Sequence, residues 1–597
     1  MTQIKQRIAQ LRQAMKKAGV SACIIPGTDP HASEYIADYW KEREWISGFD
    51  GSAGTVAFTL EKGGLWTDSR YFLQGQEQID GSGIDLMKQG LPETPEMIAW
   101  ICSELKAGER VGVNAQMFSV NGYAAMKNEL TANGIQLISI DLIAEVWTDK
   151  PALPLKPFYV FDTKYSGQSA ADKLTALRAE LAKSNADFMA LSALDDIAWL
   201  FNIRGNDVAY NPVVIAYSLV SNNNATLFID TEKLTIETKQ YLDSQGVITA
   251  PYLDIYTALN AIPHGKSVLI DGAKLNQSLN EAIPLNTQRR NQMSPVFKLK
   301  SIKNETEVAG IRWAMVKDGV ALTRFFMWLE TNLNSGKLTE MSIAEKLFEF
   351  RKKQENFVGE SFGTIAGYKG HGAIVHYRAT ESSDATLKAE GILLLDSGGQ
   401  YLDGTTDITR TITLGEATRQ QKSDFTLVLK GHIALAKAIF PSGTRGSQLD
   451  ILARKALWDM GLNYGHGTGH GVGHFLNVHE GPQNIRMDEN PAVLQPGMII
   501  SNEPGMYRTG DYGIRTENLI HVVPAVNTEF GNFLEFETLT LFPIDRNLME
   551  IMLINEEEGE WIDDYHRKVF ESLASHLTIE EQDWLKEKCK PIYDLVF

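Results

Sequence analysis

The sequence has few cysteines, no long apolar segment and fewer basic than acidic residues. Its 597 residues include three cysteines, Cys23, Cys102 and Cys589, and no two of them form a CxxC pair. This odd number and wide spacing argue against a disulfide framework and against a thiolate zinc site. Free thiols fit a reducing compartment, and we therefore expect a cytoplasmic protein.

Two further absences narrow the range of partners. No segment approaches the ~20 apolar residues that span a bilayer, and the first residues form an amphipathic pattern ending near Gly19, not a signal peptide. The 57 basic residues against 75 acidic ones leave a formal charge of −18. A nucleic-acid-binding protein is expected to carry a basic face. The sequence thus predicts a soluble protein with no membrane and no nucleic acid partner.

The amino-terminal half reads as a duplicated α/β domain. Two segments follow one plan: an amphipathic helix, a short apolar strand at residues 22–26 or 188–194, a tryptophan-bearing segment and further strands. The proline-rich residues 151–157 suit a linker. A chain of this length exceeds one hydrophobic core. We predict three domains, at residues 1–155, 156–298 and 299–597.

The third domain mixes helices and strands without regular βαβ alternation, which favours an α+β fold. Asn304 and Glu307 form a capping-box pattern that predicts a long helix, and Ser342 with Glu345 repeats the pattern for the next helix. Further helices are expected at about residues 417–440 and 447–460. Strands between these helices would carry the acidic residues that follow.

Several acids stand where apolar strands begin or end. Asp396 follows the run Ile-Leu-Leu-Leu, Glu503 follows the strand-like residues 498–502, and Glu517 stands just before an apolar strand. Buried carboxylates need a compensating positive charge. Asp407 follows Asp396 across a glycine-rich reversal, while Asp403, beside Gly404, suits a turn. Four acids and a histidine form an oxygen-rich set that suits Mn²⁺, and two ions ~3.5–4 Å apart could share them.

A stretch rich in glycine and histidine supplies the imidazole. Residues 465–482 contain His466, His470, His474 and His479, and the interleaved glycines favour a loop or strand over a helix. The stretch does not match GxGxxG, so we reject a nucleotide-binding loop. Arg515 precedes Glu517 by two residues and shares its sheet face, which places it to orient a carboxylate ligand without itself binding metal.

These motifs resemble those of aminopeptidase P (Xaa-Pro aminopeptidase), the long, three-domain group of metallopeptidases with a pita-bread catalytic fold. The resemblance rests on DSGGQYLDGTTDITR at 396–410, HGTGHGVG at 466–473, NVHEGP at 477–482, EPG at 503–505 and RTEN at 515–518. It implies two creatinase-like amino-terminal domains before the catalytic domain. It also implies hydrolysis of the bond between an N-terminal residue and a penultimate proline, by a hydroxide bridging two Mn²⁺ ions.

The resemblance further implies a role for each site residue. The metal ligands would be Asp396, Asp407, His470, Glu503 and Glu517, with Asp407, Glu503 and Glu517 shared between the ions. Glu503 would also handle the proton of the bridging water. His376 and His479 would position the substrate and stabilise the tetrahedral intermediate. His466 would assist proton transfer or line the proline pocket. Arg70 resembles an arginine that reaches the substrate, although a salt bridge is an equal alternative.

Two alternatives remain open at this point. A prolidase-like dipeptidase uses the same ligands but usually has one amino-terminal domain. A non-catalytic relative would bind peptide without cleaving it, which the intact ligands and His376 and His479 argue against. The resemblance also implies short peptides with proline in second position as substrates, and a homodimer.

Overall fold

The computed structural model describes residues 2–592. The chain separates into two compact units, one that ends at Phe297 and one that begins at Lys298. The three predicted domain ranges remain our proposal for the domain organisation within these units.

The first half of the amino-terminal unit is built around a six-stranded mixed sheet of order β4-β3-β2-β1-β5-β6. All five residues of the central strand β1, ACIIP, are buried. Helix α1 packs Ile8, Leu11 and Met15 into the core and ends before Gly19, whose φ is +64°. The elements are β1 Ala22–Pro26, β2 Thr55–Thr59, β3 Gly63–Thr67, β4 Asp85–Lys88, β5 Arg110–Val113, β6 Gln136–Ser139, α1 Thr2–Ala18, α2 Glu42–Ser47, α3 Phe72–Ile79, α4 Met97–Glu104, α5 Val120–Ala132 and α6 Ile143–Val146.

The second half of this unit repeats the first. Its main sheet has the order β12-β11-β10-β8-β13-β14, with the same alternation of parallel and antiparallel pairs. The predicted duplication is thereby confirmed. The elements are β7 Tyr159–Val160, β8 Phe188–Leu191, β9 Ile203–Arg204, β10 Ala216–Ser221, β11 Ala225–Ile229, β12 Val247–Pro251, β13 Ser267–Ile270, β14 Gln288–Asn291, α7 Thr163–Ser166, α8 Ala170–Lys183, α9 Leu194–Leu200, α10 Ile236–Ser244, α11 Asp254–Asn260, α12 Gln277–Ala282 and α13 Pro295–Ser301.

Capping residues set the helix starts of the second unit. Asn304 accepts a hydrogen bond from the backbone of Glu307 and completes the predicted capping box. The next helix is capped by Thr339 with Ser342 at its third position, so the prediction that Ser342 and Glu345 start it was wrong by three residues. The helices are α14 Glu305–Asn332, α15 Glu340–Lys352, α16 Arg419–Ala436, α17 Asp450–Trp458, α18 Glu556–Leu573 and α19 Ile579–Lys588.

The predicted acidic metal ligands lie in or directly beside the strands of two sheets in this unit. A three-stranded antiparallel sheet has the order β16-β17-β20, and a six-stranded sheet has the order β21-β28-β27-β24-β22-β23. The strands are β15 Phe357–Glu360, β16 Ile365–Tyr368, β17 Ile392–Ser397, β18 Gly399–Tyr401, β19 Gly404–Thr405, β20 Ile408–Thr413, β21 Phe440–Pro441, β22 Gly469–Gly471, β23 Glu480–Ile485, β24 Ile499–Asn502, β25 Gly505–Arg508, β26 Tyr512–Arg515, β27 Asn518–Thr528 and β28 Gly531–Thr538.

The order of these elements gives the expected fold class. Helices and strands follow one another without a regular βαβ repeat, so the α+β prediction for this unit is confirmed. Among residues 2–592, no helix has both the length and the apolar character that a membrane span requires.

Candidate metal centre

The three-stranded sheet places Asp396 and Asp407 at one end. Antiparallel pairing of β17 with β20 sets Asp396 opposite Thr409. Asp407 stands immediately before β20 and two residues before Thr409, close enough to Asp396 for the two carboxylates to repel each other. Both acids are buried, with 7% and 4% of their surface exposed. Burial at a strand end is what the apolar run before Asp396 predicted.

The six-stranded sheet contributes the other three predicted ligands. Asn502 of β24 pairs with Asn518 of β27, so Glu503 and Glu517 flank the end of this ladder on opposite strands. His470 lies in β22, and its backbone N–H donates to the hydroxyl of Ser501 over 3.0 Å. As predicted, the glycine-rich histidine stretch forms strand and loop here rather than a helix.

Thr409 joins the two sheets at the acidic cluster. Its hydroxyl donates to Glu517 Oε2 over 2.8 Å, and its carbonyl accepts from the backbone N–H of Glu517 over 3.1 Å. The ligand atoms of Asp407, His470 and Glu517 consequently lie within 4.8 Å of one another. His470 Nε2 also lies 3.3 Å from Glu503 Oε1 and 3.5 Å from Asp407 Oδ2.

The cluster carries more negative charge than its buried surroundings tolerate. Burial raises the pKa of Asp407 well above its ordinary value, and repulsion from Glu517, Asp396 and Glu503 raises it further. The pKa of Glu517 is raised well above its ordinary value for the same reasons, with burial the largest cause. Within residues 2–592, the buried oxygens Asp396 Oδ1 and Glu517 Oε1 have no hydrogen-bond partner. Divalent cations would satisfy both the charge and these oxygens.

A hydrogen bond at Nδ1 of His470 orients the other ring nitrogen, Nε2, toward the carboxylates. The carbonyl of Gly471 can only accept, so Nδ1–H donates to it over 3.0 Å. The proton therefore sits on Nδ1, and the Nε2 lone pair faces the carboxylates. A backbone carbonyl commonly fixes a metal-binding histidine in this way.

Arg515 forms hydrogen bonds with residues of the acidic cluster. The guanidinium donates from Nη2 to Asp396 Oδ2 over 2.6 Å and from Nε to the Thr409 hydroxyl over 3.2 Å. Nη2 also reaches the carbonyl of Val375 at 3.4 Å, and Nη1 donates to the hydroxyl of Tyr507 over 2.7 Å. Arg515 is 1% exposed, so its charge acts on the carboxylates with little solvent screening.

Tyr507 is a site residue that the sequence reasoning missed. Because its oxygen accepts from Arg515, its hydroxyl hydrogen can donate to His466 Nε2, 2.7 Å away, while His466 Nδ1–H donates to the Gly467 carbonyl over 2.8 Å. Burial raises the pKa of Tyr507 to about 12, which keeps the hydroxyl protonated. The structure thus links His466 to Asp396 through Tyr507 and Arg515. No local sequence pattern indicated this link.

The remaining predicted histidines lie on segments next to the cluster. His479 directly precedes β23, and its ring meets that of His470 edge-on, with centroids 4.3 Å apart. His376 follows Val375, whose carbonyl contacts Arg515. The structure therefore places the His479 ring against His470, and His376 next to a residue that contacts Arg515.

Two other acidic or basic residues have partners away from the cluster. Arg70, in the amino-terminal unit, forms a two-pronged ion pair with Asp68 at 2.8 and 2.7 Å, which is the salt-bridge alternative. Asp403 lies in a turn as predicted and also forms a buried ion pair with Lys317.

Comparison with protein-family models divides the chain into recognised segments. The creatinase/prolidase N-terminal domain matches twice, at residues 7–146 and 149–307. Metallopeptidase family M24 matches residues 309–524, and the C-terminal region of peptidase M24 matches residues 532–592. The chain therefore contains two creatinase-type domains followed by an M24 catalytic domain, as the resemblance implied.

Individual relatives match over nearly the whole chain. A probable Xaa-Pro aminopeptidase P of Laccaria bicolor is 41% identical, covering 98% of this chain and 93% of that protein. Aminopeptidase P2 of Arabidopsis thaliana is 38% identical over 99% of this chain and 89% of that protein. The crystal structure of an X-prolyl aminopeptidase from Caenorhabditis elegans, a cytosolic enzyme with a di-nuclear active site, superposes with a TM-score of 0.95 at 36% identity, covering 99% of this chain and all of that one.

Proposed function

This chain belongs to the aminopeptidase P family of M24 metallopeptidases, and we propose that it removes the first residue of short peptides whose second residue is proline. The observation that carries the proposal is the buried group of carboxylates around His470, which lies in the segment matching family M24. The proposed metal ligands are Asp396, Asp407, His470, Glu503 and Glu517.

Two divalent ions fit this group of residues. Asp396 Oδ1 and Glu517 Oε1, which have no hydrogen-bond partner among the described residues, belong to a cluster in which burial and then mutual repulsion raise the pKa of Asp407 and of Glu517. Carboxylate oxygens outnumber the single imidazole, and no cysteine is among the ligands, so a hard ion such as Mn²⁺ suits the site better than a thiolate-bound zinc. We propose Mn²⁺ as the resident ion.

The ions would supply Lewis acidity and a water activated at neutral pH. Glu503 is the proposed proton acceptor on the basis of the family resemblance, and its side chain is 17% exposed. The Ser501 hydroxyl donates to Glu503 Oε1 over 3.1 Å and orients this carboxylate. The proton that Glu503 takes from water would then pass to the leaving proline nitrogen.

The histidines would bind and orient the substrate. His376 and His479 are proposed to donate to the carbonyl oxygen as negative charge develops on it. The His466 ring contacts those of Tyr464 and Tyr507, at centroid distances of 4.9 and 5.5 Å. Proline has a rigid ring and no N–H, so an aromatic wall of this kind is a suitable pocket for it.

Three wider features complete the proposal. We propose that the protein acts in the cytoplasm, as the cytosolic relative from Caenorhabditis elegans does. We propose a homodimer on the basis of the family resemblance. Arg70 remains a predicted substrate contact, with its ion pair to Asp68 as the competing explanation.

A prolidase-like dipeptidase is the second candidate. The Xaa-Pro dipeptidase from Bacillus anthracis superposes at a TM-score of 0.51 and 24% identity, and 99% of that chain matches 63% of this one. That likeness shows a shared fold only. The duplicated amino-terminal domain favours the aminopeptidase. This chain has two creatinase/prolidase N-terminal domains, whereas a prolidase usually has one.

Tripeptide and dipeptide substrates separate these functions. Metal-stripped protein would be incubated with Arg-Pro-Pro, Arg-Pro and Arg-Ala-Ala, with and without added Mn²⁺, and released arginine would be measured. We expect Mn²⁺-dependent release from Arg-Pro-Pro alone. Faster cleavage of Arg-Pro would indicate a prolidase, and no cleavage despite bound metal would support a peptide-binding role.

A further inference from the structure

Glu340, the first residue of α15, is a fully buried acid outside the metal cluster. Its side chain has no exposed surface. Oε1 accepts from the backbone N–H of Tyr368 over 2.8 Å and lies 2.9 Å from His371 Nδ1. Oε2 accepts from the Tyr377 hydroxyl over 2.8 Å and from the backbone N–H of Ala385 over 3.1 Å. One carboxylate therefore binds four groups of a single segment.

These four groups bracket the segment that carries His376. Tyr368 ends strand β16, where the segment begins, and Ala385 lies near its other end. His371 and Tyr377 lie between them, with stacked rings whose centroids are 4.5 Å apart. His376 is the residue directly before Tyr377. Glu340 thus ties the start, the middle and the end of this segment, residues 368–385, to the start of α15.

The opposite side of the same segment rests on the metal site. The Val375 carbonyl contacts Arg515, which also binds Asp396. Gly372 packs against Gly513 of strand β26 so closely that a Cβ on Gly513 would stand 1.7 Å from the Gly372 carbonyl oxygen. The segment is therefore fixed from two sides, and Glu340 supplies a buried carboxylate on one of them.

We propose that Glu340 is a positioning residue that fixes the 368–385 segment so that His376 faces the substrate. The inference rests on the proposed function for the role of His376, but the contact between Glu340 and the segment does not. An ionised carboxylate accepts at all four donors, because it has two oxygens and no hydrogen of its own. Glutamine at this position would aim an N–H₂ at two of the donors and leave buried groups unpaired.

The test is a double-mutant cycle with Glu340→Gln and His376→Ala, measured as kcat/KM on Arg-Pro-Pro with Mn²⁺. Misplacing a reacting group by about 1 Å can cost roughly a hundredfold in rate, so we expect Glu340→Gln to lower kcat/KM by at least about tenfold. In the His376→Ala background we expect the same change to cost less than about twofold, since coupled residues are not additive. An equal loss in both backgrounds would overturn the proposal.

Hydrogen–deuterium exchange supplies a readout that needs no activity. Glu340→Gln should accelerate amide exchange in peptides covering 368–385, while peptides covering Asp396 and His470 stay protected. Unchanged exchange in 368–385 would overturn the contact itself. A wild-type protein that cleaves no Xaa-Pro peptide would overturn the proposed function, and the exchange data would still decide whether Glu340 holds the segment.

Two further variants keep the test interpretable. Tyr377→Phe removes one donor and keeps the stacked ring, so it should reproduce a smaller part of both effects even if Glu340→Gln does not fold. Asp207→Asn is the matched control, because Asp207 is a buried carboxylate bound to Lys233 and to the Ile215 N–H in the amino-terminal unit. It should leave exchange in 368–385 unchanged and show no coupling to His376→Ala.

Discussion

Replacing Arg515 by lysine should weaken metal binding without removing the positive charge. In the structure the guanidinium forms one bond to Asp396 at 2.6 Å, one to Tyr507 at 2.7 Å and one to Thr409 at 3.2 Å. A lysine ammonium can replace one of these bonds but not the planar fork. A hydrogen bond to a charged group is worth roughly 1.5–3 kcal/mol. If the Arg515–Asp396 bond is lost, the Asp396 carboxylate is no longer held in one orientation.

The expected size of this effect follows from the role of residues that orient metal ligands. Loss of such a residue typically lowers metal affinity by about 10–100-fold. The assay is calorimetric titration of metal-stripped protein with Mn²⁺. The matched control is Arg508→Lys on the neighbouring strand β25, where Arg508 pairs with Asp424 at 2.7 Å instead of with the cluster. Wild-type affinity in Arg515→Lys, or an equal loss in Arg508→Lys, would refute the reasoning.

Three further predictions concern the proton acceptor and two buried polar groups. Glu503→Gln should abolish turnover while leaving the circular dichroism spectrum and melting unchanged; full activity would contradict the proposed role. His566 is buried, with its pKa lowered to about 3 mainly by desolvation. The unfolded state therefore binds the extra proton first, and unfolding free energy should fall as pH drops below 6.5, by up to about 1.4 kcal/mol per pH unit. In urea unfolding of metal-free protein, His566→Gln should show a shallower fall between pH 7 and 5, and identical slopes would contradict this. Glu480 is buried between Lys300 and Lys303. Glu480→Ala should cost about 3–5 kcal/mol in urea unfolding, and a loss below about 1 kcal/mol would be inconsistent with a buried triad.

The ends of the core strands could be predicted because apolar runs are local patterns. Asp396 and Glu503 each follow such a run, and each stands at or just beyond the end of a buried strand in the structure. The contact between the two sheets could not be predicted in this way. It depends on Thr409 meeting Glu517, two residues far apart in the sequence whose pairing follows from the register of both sheets.

The start of α15 shows how a tertiary contact can choose between two local patterns. Thr339 with Ser342 has serine where a capping box usually has Glu or Gln, whereas Ser342 with Glu345 fits that pattern. The structure uses the first pair, and the backbone N–H of Glu340 then donates to the Ala385 carbonyl over 3.1 Å. A start three residues later would leave Glu340 outside the helix. This long-range bond therefore supports the earlier start, which local reasoning did not select.

Arg515 connects several parts of the candidate site through hydrogen bonds. It contacts Asp396, the carbonyl next to His376, and Tyr507, which in turn contacts His466. Because these groups share one buried guanidinium, a shift of any one of them changes the hydrogen bonds of the others. Sequence motifs indicate Asp396, His376 and His466 separately, whereas no motif indicates Tyr507. Their coupling depends on the β25–β26 hairpin, which carries Tyr507 opposite Gly513 and thus within reach of Arg515.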